Sequence, residues 1–249
     1  MVLLWEAAVD FYHFQNRGYP RASARDWVGN RYALAQVERE MLNRGVFAQK
    51  VALSRKASRC SGSNWLGACV AVDGHNVQIT VESGLLGRPL IKANDGALRD
   101  VAGLSFRFRM TEVTAMAVDV IVRFFELHRP LRVLFFFDSP MSRSGDLASI
   151  YRDRLRATGL AGEARAVPVP EREMASSGYI RASSDGAVLD GAPAWLDLAA
   201  CCLEAFKPVE PLMDFSPLIL SRSAGSDASQ LAIQTQTRMD TDKPTDGHG

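Results

Sequence analysis

Two apolar runs, each ending at an aspartate, constrain the fold of this chain more than any other feature. The first is Cys69-Val70-Ala71-Val72-Asp73, and the second covers residues 131–138, with the sequence Leu-Arg-Val-Leu-Phe-Phe-Phe-Asp. A strand that is apolar on both faces is expected in a parallel sheet that helices cover on both sides. A weaker run at residues 178–182 leads to Asp185 in the same way. These runs predict three strands in the interior of one sheet.

Helical segments between the runs complete the pattern. Thr111 is expected to cap a long helix that extends to Leu127, and another helix is expected over residues 145–160. Two short apolar segments flank Asn94-Asp95-Gly96, a turn sequence that predicts a hairpin. Alternating strands and helices are typical of α/β proteins. The sequence therefore predicts a three-layer α/β/α domain with a mainly parallel sheet.

Composition divides the chain into three parts. A small all-helical module of three short helices is expected over residues 1–59, and the α/β domain is expected over residues 60–207. An extension with a disordered tail is expected over residues 208–249. The tail prediction applies from Ser221, where small and polar residues dominate and no Phe, Trp or Tyr occurs. A polar stretch at residues 50–66 marks the expected boundary between the first two parts.

The N-terminal part is basic. Residues 1–60 contain ten Lys and Arg against five Asp and Glu, although the whole chain has a net charge of only +1. Three short helices with tight turns permit a helix-turn-helix-like module that binds nucleic acid. A helical cap on the larger domain is the alternative, because nothing in the sequence identifies a recognition helix.

Other features favour a cytoplasmic protein. The four cysteines lack the spacing of a zinc site or a disulfide framework, which suits a reducing compartment. The apolar start of the chain is too short for a signal sequence, and no apolar run approaches the length of a membrane span. We therefore expect no membrane partner, and the sequence leaves homo-oligomerisation open.

Asp73, Asp138 and Asp185 are the candidate catalytic residues. Ligands of open α/β sheets bind beyond the carboxyl ends of the strands, so these three carboxylates are expected to converge. Crowded carboxylates raise each other's pKa, and a divalent cation relieves their repulsion. Such a cation can activate water for attack on a phosphodiester. The alternative for each aspartate is a local role, in which it caps the following helix or forms a turn.

Nearby polar residues are candidates for binding the substrate. His75 could bind metal, act as a general base or bond the backbone, and Asn76 could orient Asp73 or cap the next helix. Residues 139–145 could cradle a phosphate at the start of a helix, although such loops are also common turns. The candidate substrate-binding residues are His75, Asn76, Ser139, Ser142, Arg143, Ser144 and Ser184.

Three motifs resemble those of PIN-like ribonucleases of the NYN branch. Val72-Asp73-Gly74-His75-Asn76-Val77 resembles the Asp-Gly-Tyr-Asn-Val opening strand, with His75 in place of the tyrosine. Phe136-Phe137-Asp138 resembles the second acidic strand end, and Ala182-Ser183-Ser184-Asp185 resembles the Thr/Ser-Ser-Asp element. Residues 5–207 as a whole are also similar to an uncharacterised prokaryotic family that joins a helical N-terminal module to such a domain.

The resemblance implies a PIN-like (Rossmann-like) α/β/α domain, Mg²⁺ or Mn²⁺ at an acidic centre, and hydrolysis of RNA. It implies Asp73, Asp138 and Asp185 as metal ligands. The branch usually adds an acidic residue on a helix ahead of the last motif, but residues 170–174, Pro-Glu-Arg-Glu-Met, give no clean match. Asp190 and Glu82 are then the candidates to supply the missing charge as further metal ligands.

Three functional hypotheses follow. The first is a ribonuclease that depends on Mg²⁺ or Mn²⁺, and the second is a catalytically degenerate PIN-like protein that binds RNA. The third is a Rossmann-like phosphatase or nucleotide-binding protein. An Asp-x-Asp-x-Thr motif after the first strand and a GxGxxG motif are both absent from the sequence. Their absence argues against a haloacid-dehalogenase-type phosphatase and against a dinucleotide site, respectively.

Overall fold

The computed structural model describes residues 2–101 and 109–222, so most of the tail predicted from Ser221 lies outside the described residues. Four helices open the chain: α1 (Val2–Asn16), α2 (Arg21–Arg31), α3 (Gln36–Gly45) and α4 (Gln49–Ala57). The elements that follow are β1 (Cys69–Asp73), α5 (Gly74–Leu85), β2 (Leu90–Lys92), β3 (Leu98–Asp100), α6 (Glu112–His128), β4 (Arg132–Asp138), α7 (Ser144–Thr158), β5 (Gly162–Val167), α8 (Pro170–Ser177), β6 (Ile180–Ala182), α9 (Gly186–Leu189), β7 (Trp195–Leu196), α10 (Leu198–Phe206), β8 (Met213–Asp214) and a 3₁₀ helix (Ser216–Arg222).

A five-stranded sheet with the order β5-β4-β1-β6-β7 forms the centre of the molecule. All of its strand pairs are parallel, and Val72 of β1 is in register with Phe135 of β4 and Ala182 of β6. After β5 the chain crosses back past β1 to add β6 and β7, so the strand order reverses beside β1. The predicted α/β class with a mainly parallel sheet is confirmed.

Helices cover both faces of this sheet. Val72 and Phe137 point into the larger core cluster, which α5, α6, α7 and α10 complete. Ala71 and Phe136 point to the opposite face and pack with Met174 of α8. Because successive residues of a strand face opposite sides, both faces of β1 and β4 need apolar residues. This explains the uninterrupted apolar runs.

Two segments have sequence patterns that suit a strand over more residues than the structure shows. Residues 76–84 alternate apolar and polar side chains as a strand would, although a helix is expected after β1 in a βα unit. Val77 and Val81 are four residues apart and both lie in the core, so the segment belongs to helix α5. Residues 195–199, Trp-Leu-Asp-Leu-Ala, also have the pattern of a strand, but β7 stops at Leu196. It ends there because Asp197 caps α10 and accepts the backbone N–H of Ala200 at 3.2 Å.

The N-terminal helices share their core with strands from later in the chain. Phe11 and Leu42 pack with Ile91 of β2 and with Phe215, which follows β8. These strands belong to a second, three-stranded sheet with the order β3-β2-β8. The predicted all-helical module is therefore helical up to residue 57, but strand residues complete its core. The polar stretch predicted as a connection contains a fourth helix, α4.

A buried ion-pair cluster joins these helices to the parallel sheet. Asp95, in the predicted hairpin turn, is fully buried and accepts 2.8 Å hydrogen bonds from Arg55 of α4 and from both terminal nitrogens of Arg99. Burial alone would raise the pKa of Asp95, but the two guanidinium groups hold it below its usual value. Arg99 also donates to the carbonyl of Ser184 at 2.6 Å, and Arg55 donates to that of Gly186 at 3.2 Å. The cluster thus anchors the loop that follows β6.

The described ranges contain no helix that is long and apolar enough to cross a membrane. The four cysteines are all free thiols, as their spacing predicted.

Candidate active site

Three neighbouring strands bring the predicted aspartates to one edge of the sheet. Asp73 ends β1 and is in register with Phe136, two residues before Asp138 at the end of β4. On the other side of β1, Val72 is in register with Ala182, three residues before Asp185. Because the strands are parallel, all three aspartates lie at or beyond their carboxyl ends. This edge is also where the strand order reverses, the usual position of a ligand site in such sheets.

Asp73 is the most buried of the three, with 9% of the residue exposed. Its carboxylate accepts the backbone N–H of Asn76 at 3.4 Å and the hydroxyl of Ser183 at 2.9 Å. The pKa of Asp73 is raised to about 7: burial is the largest cause, the hydrogen bond from Ser183 opposes it, and the negative charges of Asp185 and Glu171 add to the rise. Asp73 therefore caps α5 and is also a desolvated carboxylate that faces other acids.

The side chain of Asn76 joins the ends of β1 and β6. Its Oδ1 atom accepts hydrogen bonds from the Ser183 hydroxyl at 3.2 Å, the Ser184 backbone N–H at 2.8 Å and the Ser184 hydroxyl at 3.0 Å. The sequence suggested that Asn76 orients Asp73 or caps a helix. The structure shows that its side chain holds the loop after β6, which in turn places Ser183 on Asp73.

His75 bonds the backbone, which was one of its three predicted roles. Its Nδ1 atom accepts the backbone N–H of Asp138 at 3.1 Å, and its ring packs edge-on against Phe137. The residue is only 2% exposed, and burial lowers its pKa to about 4. The imidazole is therefore neutral near pH 7, and it fixes the position of Asp138 without adding charge.

Glu171 is an acidic residue of this edge that the sequence alone did not identify. It lies exposed in the first turn of α8, and its negative charge raises the pKa of Asp138 in addition to the larger effect of burial. Its charge also makes a small contribution to the raised pKa of Asp73. The resemblance called for an acid on a helix ahead of the last motif, and α8, which carries Glu171 in its first turn, precedes that motif in the chain. A signal was present, since Pro170 begins a helix directly after β5 and so places Glu171 at the same edge.

Asp185 has the local role that was predicted as the alternative. Its carboxylate accepts the backbone N–H of Ala187 at 2.7 Å and caps α9, and its own N–H donates to the hydroxyl of Ser183 at 3.0 Å. The side chain remains partly exposed. Because its charge also raises the pKa of Asp73, Asp185 belongs to the same electrostatic group as the other acids.

We call the group of Asp73, Asp138, Glu171 and Asp185 the acidic edge. No three Asp, Glu, His or Cys side chains in the part of the chain that the structure describes lie close enough together to hold one metal ion. However, Mg²⁺ is commonly held by one or two carboxylates, with water and phosphate oxygens at the other positions. Burial is the main cause of the raised pKa values of Asp73 and Asp138, and nearby negative charges raise both further. A cation would relieve this repulsion. The donors thus fit a largely hydrated Mg²⁺ or Mn²⁺ and not a preformed cage.

The other two predicted metal ligands have different partners. Glu82 lies two turns along α5 and accepts a 2.8 Å hydrogen bond from Gln78, which also accepts from the hydroxyl of Tyr151. Asp190 is exposed and pairs with Arg55 at 2.8 Å. Both carboxylates therefore bind other side chains of the protein outside the acidic edge, and these contacts give no support for metal binding.

The predicted phosphate loop turns back onto the protein. The backbone N–H of Ser139 donates to the carbonyl of Val167 at 2.8 Å, and the Ser144 hydroxyl donates to the Ser139 carbonyl at 3.5 Å. Arg143 is exposed and pairs with Asp146 at 2.6 Å. The loop follows β4 directly, at the same edge as Asp138, so a contact between its exposed residues and a substrate stays a prediction.

Comparison with known proteins adds family relationships to this geometry. The family model described as "Domain of unknown function (DUF5616)" matches residues 63–201, which include the whole acidic edge. A second model, "Protein of unknown function (DUF434)", matches residues 3–57, which correspond to the four N-terminal helices. The "Uncharacterized protein MJ0935" of Methanocaldococcus jannaschii is 24% identical over 204 residues, which cover 81% of this chain and 97% of that protein. No solved structure matches the chain.

Proposed function

We infer that this chain, which belongs to the family described as "Domain of unknown function (DUF5616)", is a PIN-like ribonuclease that depends on Mg²⁺ or Mn²⁺. The observation that carries the proposal is the state of Asp73. A buried carboxylate at the end of a central strand, with other acids around it, has a pKa raised to about 7. Strongly perturbed acids in such positions are more common at functional sites than elsewhere.

The acidic edge would hold the metal through oxygen ligands. Asp73 is the candidate for a direct bond, and Asp138, Asp185 and Glu171 would act directly or through bound water. An ion held there would supply a water of lowered pKa and offset the negative charge of the phosphodiester. RNA as the substrate rests on the resemblance to NYN-type nucleases, and the basic N-terminal helices would attract any polyanion.

The neighbouring side chains would keep the acidic edge in a fixed arrangement. Ser183 donates to Asp73 and so favours its ionised form, which is the form that binds a cation. Asn76 orients Ser183, and His75 fixes the backbone of Asp138. Because β1 and β4 are rigid central strands, the separation of Asp73 and Asp138 is set by the sheet and not by flexible loops.

A catalytically degenerate protein that binds RNA is the second candidate. Two observations favour it: no preformed group of three metal ligands exists among the described residues, and Asp73 and Asp185 already serve as helix caps. This candidate predicts that RNA binding weakens with salt, that no strand is cleaved, and that binding survives when the aspartates are neutralised.

The test is an RNA cleavage assay on the full chain with Mg²⁺, with Mn²⁺ or with EDTA, using single-stranded and structured RNA. We expect cleavage that requires the metal and that falls by more than about 100-fold in Asp73→Asn, since even indirect partners of a metal site cost about 10- to 100-fold. Asp119→Asn is the control, because this exposed carboxylate of α6 pairs with Arg154. Equal cleavage by wild type and Asp73→Asn would remove the proposed site.

A second pair of variants separates Glu171 from a general effect of charge. Glu171→Gln is expected to reduce cleavage and to raise the metal concentration required for half of the maximal rate. Glu173→Gln is the matched control on the same helix, because Glu173 pairs with Arg165 at the exposed surface. If folded wild-type protein binds RNA but cleaves none with either metal, the degenerate RNA-binding protein becomes the better description.

A further inference from the structure

A cavity of about 280 Å³ lies between the N-terminal helices and the acidic edge. Arg21, Glu40 and Asn43 line one side of it, and Asn76, Ser184 and Asp185 line the other. We call this cavity the arginine pocket. Its volume is close to the lower end of the range for small-ligand sites, about 300 Å³, which suits one small polar group better than a large ligand.

Arg21 reaches this pocket with unused hydrogen-bonding capacity. A guanidinium group has five N–H donors. Three of them go to neutral acceptors: the side-chain oxygen of Gln15 at 3.0 Å, that of Asn43 at 3.3 Å, and the Asn43 carbonyl. None of the described carboxylates forms an ion pair with Arg21. Two N–H donors of Arg21 therefore have no acceptor among the described residues, and the residue lines the pocket.

Aromatic rings hold the guanidinium of Arg21 in place. It lies 5.2 Å from the ring centroid of Phe11 and 4.6 Å from that of Phe47. The guanidinium groups of Arg55 and Arg99 lie against the same Phe47 ring, at 4.3 and 4.9 Å. A group held in this way loses little conformational entropy when it binds a ligand.

The charges around Arg21 also favour an anion. Arg55 and Arg99 both have Asp95 as a carboxylate partner, whereas Arg21 has neutral partners. The pKa of Arg21 is lowered to about 10: burial is the largest cause, the positive charges of Arg55 and Arg99 add to the decrease, and Asp95 opposes it. Burying a cation with neutral partners only is costly, and an anion in the pocket would offset that cost.

We propose that the arginine pocket binds a phosphate group of the substrate strand, next to the phosphodiester bond that lies at the acidic edge. This inference rests on the proposed ribonuclease function and specifies how the substrate is held. Guanidinium groups bind phosphate oxygens through paired N–H donors. Asn76 and Asp185 line the pocket and also belong to the site around Asp73, so a strand with one phosphate on Arg21 would pass directly along the acidic edge. Asp185 lies on the other side of the pocket and would repel the phosphate towards Arg21, whereas Glu40 lies on the Arg21 side and would weaken its binding.

The test measures binding of inorganic phosphate to the full chain by titration calorimetry in the absence of divalent cations, so that it does not depend on cleavage. We expect wild type to bind phosphate and Arg21→Gln to bind it about 10-fold more weakly or worse, the usual effect of losing a charged hydrogen bond. Glu40→Gln is expected to bind phosphate more tightly because it removes a negative charge from the pocket. Arg31→Gln, an exposed position on the same helix, should match wild type.

Folded wild type that binds no phosphate, or Arg21→Gln that binds it as well as wild type, would overturn the inference. If Arg21→Gln does not fold, Glu40→Gln decides, and an unchanged affinity for phosphate overturns the inference.

In the cleavage assay, Arg21→Gln is expected to raise KM and to change kcat little. Phosphate binding that depends on Arg21 in a protein that cleaves no RNA would retain the pocket and reject the ribonuclease function. RNA cleavage without phosphate binding that depends on Arg21 would retain the ribonuclease function and reject the pocket.

Discussion

The hydroxyl of Ser183 donates a 2.9 Å hydrogen bond to the carboxylate of Asp73. This bond crosses from the end of β6 to the end of β1 and favours the ionised form of Asp73. Burial opposes it and raises the pKa of the group to about 7. The protonation of Asp73 near neutral pH is therefore linked both to the stability of the fold and to the proposed binding of metal.

The free energy of unfolding of Asp73→Asn is expected to exceed that of wild type by an amount that grows with pH. Asp73 titrates near pH 7 in the folded protein and near 3.8 in the unfolded chain, so its stabilising contribution is present below about pH 4 and is lost as the pH rises to 7. Asparagine does not titrate and keeps an acceptor oxygen. Without divalent cations, we expect the variant to exceed wild type by about 1–3 kcal/mol in free energy of unfolding at pH 8, with little difference at pH 4. Urea denaturation across this range measures the effect.

The same variant tests metal binding. At pH 8, Mg²⁺ or Mn²⁺ should raise the urea midpoint of wild type, because the ion binds the folded state and relieves the repulsion around Asp73. The midpoint of Asp73→Asn should barely move. An equal rise in the two proteins would contradict a role for Asp73 as a ligand.

His75→Leu is expected to destabilise the protein by about 1–3 kcal/mol at pH 7, because the buried N–H of Asp138 loses its acceptor. His75 has a pKa of about 4 when folded and 6.5 when unfolded, so its contribution is present above pH 6.5 and is lost as the pH falls through 4. The loss caused by the substitution should therefore be smaller at pH 4.5. Denaturation at both pH values measures this. His75→Asn, which can supply an acceptor, should lose less, and equal losses at the two pH values would argue against a neutral buried imidazole.

Gly74→Ala is expected to destabilise the protein by about 1–3 kcal/mol. A Cβ atom at this position would lie 2.4 Å from the ring of Phe137, which is fully buried and cannot easily move. The clash would displace the start of α5 beside Asp73, so cleavage should fall as well. Gly145→Ala is the matched control, because that glycine lies in the first turn of α7 with open space around it. The control should be neutral or stabilised by up to about 1 kcal/mol in thermal or urea denaturation.

The sequence predicted the parts of the fold that depend on local patterns. The strand ending at Asp73, the strand ending at Asp138, the hairpin around Asn94-Asp95-Gly96 and the long helix after Thr111 all appear in the structure. Each has its own signal, either an apolar run or a turn or capping residue. The convergence of three strand ends followed from the rule that parallel strands share one edge.

The contacts that were missed join residues distant in sequence. The Oδ1 atom of Asn76 accepts hydrogen bonds from Ser183 and Ser184, which lie more than a hundred positions later in the chain. Arg55 lies in the polar stretch that was predicted as a domain boundary, yet it is buried in an ion pair with Asp95. Glu171 lies on a short helix, and the pairing of β5 with β4 brings the start of that helix to the acidic edge.

The buried Asp95 cluster limits how this molecule can be dissected. Arg99 donates a hydrogen bond to the loop that contains Ser183, and Asp95 forms ion pairs with both Arg99 and Arg55. A fragment starting at residue 60 would lose Arg55 and uncover Ile91, so it would weaken the support of Asp73 along with any contact the helices make to RNA. Inactivity of such a fragment would say nothing about which of the two was lost. The separate roles of the N-terminal helices and of the parallel-sheet domain therefore have to be measured with single substitutions in the intact chain.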